Sequence, residues 1–134
     1  MTRDDAAPDS GMDKRPEKIA GMFDSIAGRY DLLNTVLSGG LDRYWRWRAI
    51  RTLRFTGREA LLDVCTGTAD VPLGAARATR GAARVVGVDF AGAMLAHGRE
   101  KVTAGGLASR VHLVRGDAMH LPAADRSVDG VTVA

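Results

Sequence analysis

The residues with chemical potential in this chain are few and regularly spaced. The apolar run Leu61-Leu62-Asp63-Val64 breaks at Cys65-Thr66-Gly67-Thr68-Ala69 into a helical pattern that begins at Asp70. Such a strand–turn–helix is a nucleotide-binding turn: Gly67, lacking a side chain, lets a ligand approach the main chain, and the helix behind it aims unpaired N–H groups at the turn. A second apolar run, Val85-Val86-Gly87-Val88, ends in Asp89, which stands 22 residues after Gly67. An acid about 20 residues past the glycine turn, at the tip of the next parallel strand, can accept hydrogen bonds from both hydroxyls of a ribose. A phosphate on that ribose would be repelled, so an adenosine ligand without a 2′-phosphate is expected. Gly116-Asp117-Ala118 and Val128-Asp129-Gly130-Val131 supply two further strand boundaries in the right order. Only one glycine of the G-x-G-x-x-G fingerprint is present, and Cys65 and Ala69 stand where pyrophosphate binding needs glycine, which argues against a nicotinamide dehydrogenase.

Those turns require a sheet. The spacing predicts strands over 60–64, 84–88, 111–115 and 127–133, with helices over 70–79 and 91–103, an alternation that implies a parallel α/β sheet. Ahead of it, three short helices are expected: 16–28, stopped by Gly28; 30–38, ended by Gly39-Gly40; and 42–53, with Asp42 as its N-cap. Residues 1–15 hold four aspartates and almost no large apolar side chain, and read as a disordered tail. The domain reading is a tail over 1–15, a helical lid or substrate segment over 16–56, and a nucleotide-binding half-domain over 57–134.

The motifs Asp63 to Asp70, Gly87-Val88-Asp89-Phe90 with Met94-Leu95, Gly116-Asp117-Ala118 with Leu121-Pro122, and Asp129 to Val133 resemble those of class I methyltransferases that use S-adenosylmethionine. Phe23-Asp24-Ser25-Ile26-Ala27, Tyr30-Asp31-Leu32-Leu33-Asn34, Leu37-Ser38 and Trp45 resemble the signature of the ubiquinone/menaquinone biosynthesis C-methyltransferases, and the Cys-Thr-Gly-Thr-Ala-Asp turn suits the demethylmenaquinone branch. Leu33 and Asp42 depart from that signature, where methionine and histidine are common. The resemblance implies a Rossmann-like class I fold and C-methylation of demethylmenaquinol to menaquinol, with S-adenosyl-L-methionine as cofactor. Relatives of this kind continue for about as many strands again, so the chain reads as an N-terminal fragment truncated after the fourth strand. The alternatives are another class I methyltransferase acting on a different small molecule, or a non-catalytic cofactor-binding fragment.

The same resemblance implies roles. Asp89 holds the ribose hydroxyls, Asp117 and Ala118 flank the adenine, Thr68 and the Gly67 backbone line the methionine end, and Asp63 orients the turn from below. Against this, Asp117 also reads as an ordinary turn former and Thr68 as a helix cap. A base near a quinol hydroxyl would make the ring carbon nucleophilic; the candidates are Tyr30, Asp31 and His120, and no catalytic residue is assigned. Tyr30, Asp31 and Asn34 read either as a network pinning the helices or as part of a lid. His97 and His112 read as surface residues and Cys65 as a small buried side chain. No Cys, His or carboxylate cluster has metal-ligand spacing, and no metal is expected.

Composition narrows the partners. The 134 residues are 46% hydrophobic and 26% charged with a net charge of +3, ordinary for one globular domain, and no Lys/Arg run points to nucleic acid. The lone Cys65 and a polar N-terminus read as cytoplasmic. Between Arg43 and Arg58 lie six arginines and no acid, interleaved with Tyr44, Trp45 and Trp47. Trp45, Ile50 and Leu53 can be core with arginines snorkelling outwards. Alternatively the segment touches an anionic membrane surface, which would suit a bilayer-borne polyprenyl quinol and a peripheral location at the inner face. The residues carry no pattern bearing on oligomeric state.

Overall fold

A computed structural model describes residues 16–133; the side chains at 16, 20, 23–28, 30, 31 and 35 fall outside the described residues. The expected tail over 1–15 and the base candidates Tyr30 and Asp31 therefore lie outside them. The elements run α1 (Pro16–Ser38), α2 (Leu41–Thr52), β1 (Ala60–Val64), α3 (Asp70–Arg77), β2 (Arg84–Asp89), α4 (Gly92–Ala104), β3 (Val111–Arg115) and β4 (Gly130–Val133). The four strands form one sheet in the order β3-β2-β1-β4, every neighbouring pair parallel. Chain order reverses at β1, since β2 and β3 lie to one side of it and β4 to the other. In open parallel sheets the ligand crevice lies outside the carboxyl ends of the strands at such a switch point.

Strand periodicity divides the core into two layers. Leu61, Val85 and Val111 stand in register across β1, β2 and β3 and meet Leu73, Ala75 and Ala76 of α3 and Val102 of α4. The alternate row, Leu62, Val64 and Val88, packs with Val86 and Val128 on the opposite face. Leu61, Leu95 and Val85 are completely buried, each contributing about 1.5–3 kcal/mol by removal from water. α2 seats on α3 closely: a Cβ at Gly74 would come 2.7 Å from Ile50 Cδ1, and Ile50, Leu53 and Phe55 join the first layer from outside. α1 packs against α4 and α2.

Several expectations are corrected. α1 runs unbroken through Gly28, because one interior glycine costs only about 1 kcal/mol and α1 packs against α4 and α2. Asp42 is not the N-cap of α2; Gly40, at φ 85°, holds that position, and Asp42 lies in the first turn. There its carboxylate accepts the Ser38 hydroxyl at 2.9 Å, which with Arg46 holds the carboxyl below its usual pKa. α3 ends at Arg77, where Ala78 takes up extended backbone. β4 begins at Gly130 rather than at 127, since the Asp129 carboxylate turns back to accept the Ala60 N–H at 2.8 Å. Trp45 is not core: it is exposed beside Tyr44, while Ile50 and Leu53 supply the packing.

Candidate functional site

The turn after β1 is wound unusually tightly. Cys65, Gly67 and Ala69 have φ of 58°, 57° and 69°, so left-handed residues alternate with Thr66 and Thr68. N–H groups of the turn are used within the fold, that of Thr66 by the Val88 carbonyl at 3.0 Å, that of Gly67 by Asp89 and that of Ala69 by the Thr66 carbonyl at 3.0 Å, and each left-handed residue with a Cβ costs about 1–2 kcal/mol. Cys65 corrects the buried reading, because its left-handed backbone turns it out of the β1 alternation and it is exposed. Partial burial, and then the Asp89 and Asp63 carboxylates, raise its thiol pKa, so the thiolate is disfavoured.

Asp89 joins the strand tips. Its Oδ2 accepts the Gly67 N–H at 2.8 Å, its Oδ1 accepts the Ala91 N–H at 3.0 Å, and its carbonyl accepts the Gly116 N–H at 2.9 Å. One residue thus ties the turn after β1, the start of α4 and the end of β3. Its side chain is half-buried, and a carboxylate has about four lone-pair sites, of which these two amides use two. The remaining acceptor on each oxygen suits a pair of vicinal hydroxyls.

Asp63 lies beneath the turn, completely buried. It accepts Thr66 Oγ1 at 2.6 Å and Thr132 Oγ1 at 2.6 Å, tying the turn to β4. Burial raises its pKa, opposed by the two threonine hydroxyls. Thr68 is also buried, with its hydroxyl 3.2 Å from Lys101 Nζ on α4. It does not act as a helix cap: Ala69 is the N-cap of α3, and no side chain caps it. The Thr68 hydroxyl is engaged on the α4 side of the turn.

Asp117 and Ala118 are exposed in the turn after β3, beside the Gly116–Asp89 link. The Asp117 carboxylate accepts the Met119 N–H at 2.8 Å, which with nearby His120 holds the carboxyl below its usual pKa. This is the geometry of a turn former. His120 is exposed, with Nδ1 3.6 Å from Asp117 Oδ2. His112 is exposed; His97 is partly so, 3.7 Å from Glu100. The structure therefore brings Gly67, Asp89 and Gly116 together, with Asp117 and Ala118 adjoining.

Two features carry no sequence signal of their own. Lys101 Nζ reaches Asp70 Oδ1 at 2.6 Å across 31 residues, and Arg46 lies 3.4 Å from the other oxygen of Asp70. Gly87 leaves room for Thr66: a Cβ there would lie 2.6 Å from Thr66 Oγ1.

The chain matches the ubiE/COQ5 methyltransferase family over residues 11–134. It is 42% identical over 121 residues to the ubiquinone/menaquinone biosynthesis C-methyltransferase UbiE of Geotalea daltonii, covering 90% of this chain and 52% of that protein. It is 44% identical over 122 residues to the demethylmenaquinone methyltransferase of Thermobifida fusca, covering 91% and 50%. The chain thus spans about half the length of these relatives. Among solved structures it resembles the [4+2]-cyclase SpnF, with TM-score 0.69 and 24% identity over 87% of this chain and 47% of that one. It also resembles a putative S-adenosyl-L-methionine-dependent methyltransferase of Methanococcus maripaludis, with TM-score 0.59 and 19% identity over 92% and 52%. The expected class I, Rossmann-like methyltransferase fold is present in its first four parallel strands. With the family's motifs at the strand tips and the family match running along nearly the whole sequence, the chain belongs to the ubiE/COQ5 methyltransferase family.

Proposed function

We propose that this chain is the cofactor-binding portion of an S-adenosyl-L-methionine-dependent C-methyltransferase that converts demethylmenaquinol to menaquinol. The observation that carries the reading is the Asp89 carboxylate, 2.8 Å from the Gly67 N–H, with an acceptor still open on each oxygen. Asp89 holds the ribose diol, the Gly67 backbone lines the methionine end, and Asp117 and Ala118 border the adenine. Thr68 supports the methionine end through its backbone. When bound, the cofactor supplies an electrophilic methyl group on a sulfonium. The protein's part is positioning: Asp63 and Thr66 brace the turn, and Asp89 fixes the depth of the ligand. The relatives' names, demethylmenaquinone methyltransferase among them, support the quinol as substrate.

The domain reading fits this function. Residues 16–56 serve as the lid and substrate segment, and α1 and α2 expose Leu33, Val36, Leu37 and Trp45 as an apolar surface for a prenyl chain. Beside them Arg48 leans on Tyr44, with its Nη1 3.3 Å from the phenol oxygen, an aromatic and cationic face suited to peripheral contact with an anionic bilayer. No helix among the described residues is long and apolar enough to cross a membrane.

Calorimetry with S-adenosylhomocysteine tests the cofactor site: saturable heat is expected, and Asp89→Ala should abolish it. Heat that survives the substitution overturns the ribose assignment. Methyl transfer to demethylmenaquinol tests the activity; ligand binding without transfer would leave a non-catalytic cofactor-binding fragment. Trp45→Ala with Arg48→Gln should weaken pelleting with anionic vesicles, and unchanged pelleting rejects the membrane contact.

A further inference from the structure

One groove among the described residues lies away from the strand ends. It lies between α2 and α3, has a volume of about 920 Å³, and is lined by none of Gly67, Thr68, Asp89 and Asp117. Ile50, Phe55 and Leu73 give it apolar walls, and its charges are strongly one-sided. Asp70 is the one acid lining it and is already matched by Lys101 at 2.6 Å and Arg46 at 3.4 Å. Arg43, Arg51, Arg54, Arg77 and Arg80 also line it, and no carboxylate among the described residues pairs with any of them. Five guanidinium groups without a carboxylate partner thus line one groove of a chain whose net charge is +3.

Helix termini explain only part of this concentration. Arg51 and Arg77 sit in the last turns of α2 and α3, where a cation complements the helix dipole. Arg43 sits in the first turn of α2, where a cation opposes the dipole, and Arg54 and Arg80 lie in the connections beyond α2 and α3. Crowding them costs mutual repulsion, which a bound anion would relieve. Arg51 is held in place over the Trp47 ring, 4.8 Å from its centroid, and a stacked guanidinium keeps its donors in a fixed fork.

We propose that this groove is a phosphate site, taking a diphosphate or phosphate ester through guanidinium forks drawn from α2, α3 and the segments that follow them. Phosphate is favoured over a lone carboxylate because its oxygens can engage several arginines at once, each bidentately. The apolar walls admit a carbon substituent on the ester. A soluble phosphate ester and a phospholipid headgroup present the same chemistry.

The test titrates the full chain with inorganic pyrophosphate by calorimetry, and sediments it with vesicles of phosphatidylcholine alone or mixed with phosphatidylglycerol. The variants are Arg54→Gln/Arg77→Gln/Arg80→Gln, its lysine counterpart, and Arg80→Gln alone, which changes only a connecting segment and covers the case in which the triple variant does not fold. Saturable binding of pyrophosphate is expected. The triple glutamine variant should weaken it about tenfold or more, and lysine should restore it only partly because the fork is lost. Loss of phosphatidylglycerol pelleting in the same variants, with pyrophosphate competing, identifies a headgroup; pyrophosphate binding without vesicle binding identifies a soluble ester. The proposal is overturned if neither probe binds saturably, or if the glutamine variants, Arg80→Gln included, bind as the unmodified chain does. Because neither Asp89 nor Gly67 lines this groove, S-adenosylhomocysteine binding in the variants reports on the cofactor reading separately.

Discussion

Lys101 Nζ stands 2.6 Å from Asp70 Oδ1, so that α4 holds the first residue of the helix that follows the Gly67 turn. The same ammonium lies 3.2 Å from the Thr68 hydroxyl. Asp70 is also 3.4 Å from Arg46, which lies 3.3 Å from Asp42, which in turn accepts the Ser38 hydroxyl at 2.9 Å. A line of polar contacts therefore leads from the end of α1, through α2, to the turn. It is a polar link between the two N-terminal helices and the sheet, beside the apolar seating of Ile50, Leu53 and Phe55.

Lys101→Met removes the step of that line that reaches Thr68 while keeping much of the lysine stem. The pair is partly solvated, so the loss of stability should be modest, about 1 kcal/mol in urea unfolding, and should shrink as salt is added. S-adenosylhomocysteine should bind several-fold more weakly, because α3 and the turn lose their anchor. A variant that unfolds earlier yet binds unchanged would confine Lys101 to stability.

Asp89→Asn separates charge from shape. The amide keeps one acceptor for Gly67 or Ala91 but cannot serve both N–H groups, which lie 2.8 and 3.0 Å from the two carboxylate oxygens. Hydrogen bonds to a charged group contribute about 1.5–3 kcal/mol each, so ligand affinity should fall about 10-fold to 100-fold. Asp117→Asn, at an exposed turn, should change it far less. Equal losses at the two positions would contradict the geometry.

The strands and the two glycine turns were legible because each rests on a short apolar run bounded by a turn residue, and register then follows from burial of Leu61, Val85 and Val111 on one face. Elements set by side chains far apart in sequence were not. β4 starts late because of Asp129, whose partner is 69 residues away, and the Asp63–Thr132 link spans the same separation. Gly28 read as a stop because local propensity ignores the packing of α1 on α4 and α2. Arg43, Arg51 and Arg54 read as part of one basic segment without Arg77 and Arg80, since α3 has to fold against α2 before all five line one groove.

Gly87→Ala tests the clearance under the turn. The added Cβ would lie 2.6 Å from Thr66 Oγ1 and 2.8 Å from Leu113 Cδ2, and overpacking of this kind costs about 1–3 kcal/mol. Thr66 would be pushed off Asp63. In a Thr66→Ala background the additional cost of Gly87→Ala should fall, and strict additivity of the two changes in urea unfolding would rule out this contact as the cause.

Glu59 offers a stability signal at low pH. Its carboxylate accepts the Thr56 hydroxyl at 2.8 Å and the N–H groups of Thr56, Gly57 and Arg58 at 2.9–3.0 Å, which lower its pKa from 4.5 to about 2. A depressed acid contributes stability that is present above its unfolded pKa and lost as pH falls through the folded one. The denaturation midpoint of the unmodified chain should therefore exceed that of Glu59→Gln above pH 4.5, with the gap closing towards pH 2. A gap that is undiminished at pH 2 would trace it to something other than ionisation.

Asp63 should show the opposite slope. Burial raises its pKa above the ordinary 3.8 despite the hydroxyls of Thr132 and Thr66. A raised acid favours folding most below its unfolded pKa, and that contribution is lost as pH rises through the folded value. Relative to Asp63→Asn, which is isosteric and cannot ionise, the unmodified chain should be most stable below pH 3.8 and lose ground as pH climbs. Thr132→Val removes one of the two hydroxyls that stabilise the ionised carboxylate. It should cost about 1–3 kcal/mol near neutral pH and less in acid, where the carboxyl is protonated. Urea unfolding of the three proteins across pH, read as differences so that other titrating groups cancel, checks the sign: a rising difference between the unmodified chain and Asp63→Asn would mean that Asp63 folds as a stabilised carboxylate and that the threonine hydroxyls outweigh its burial.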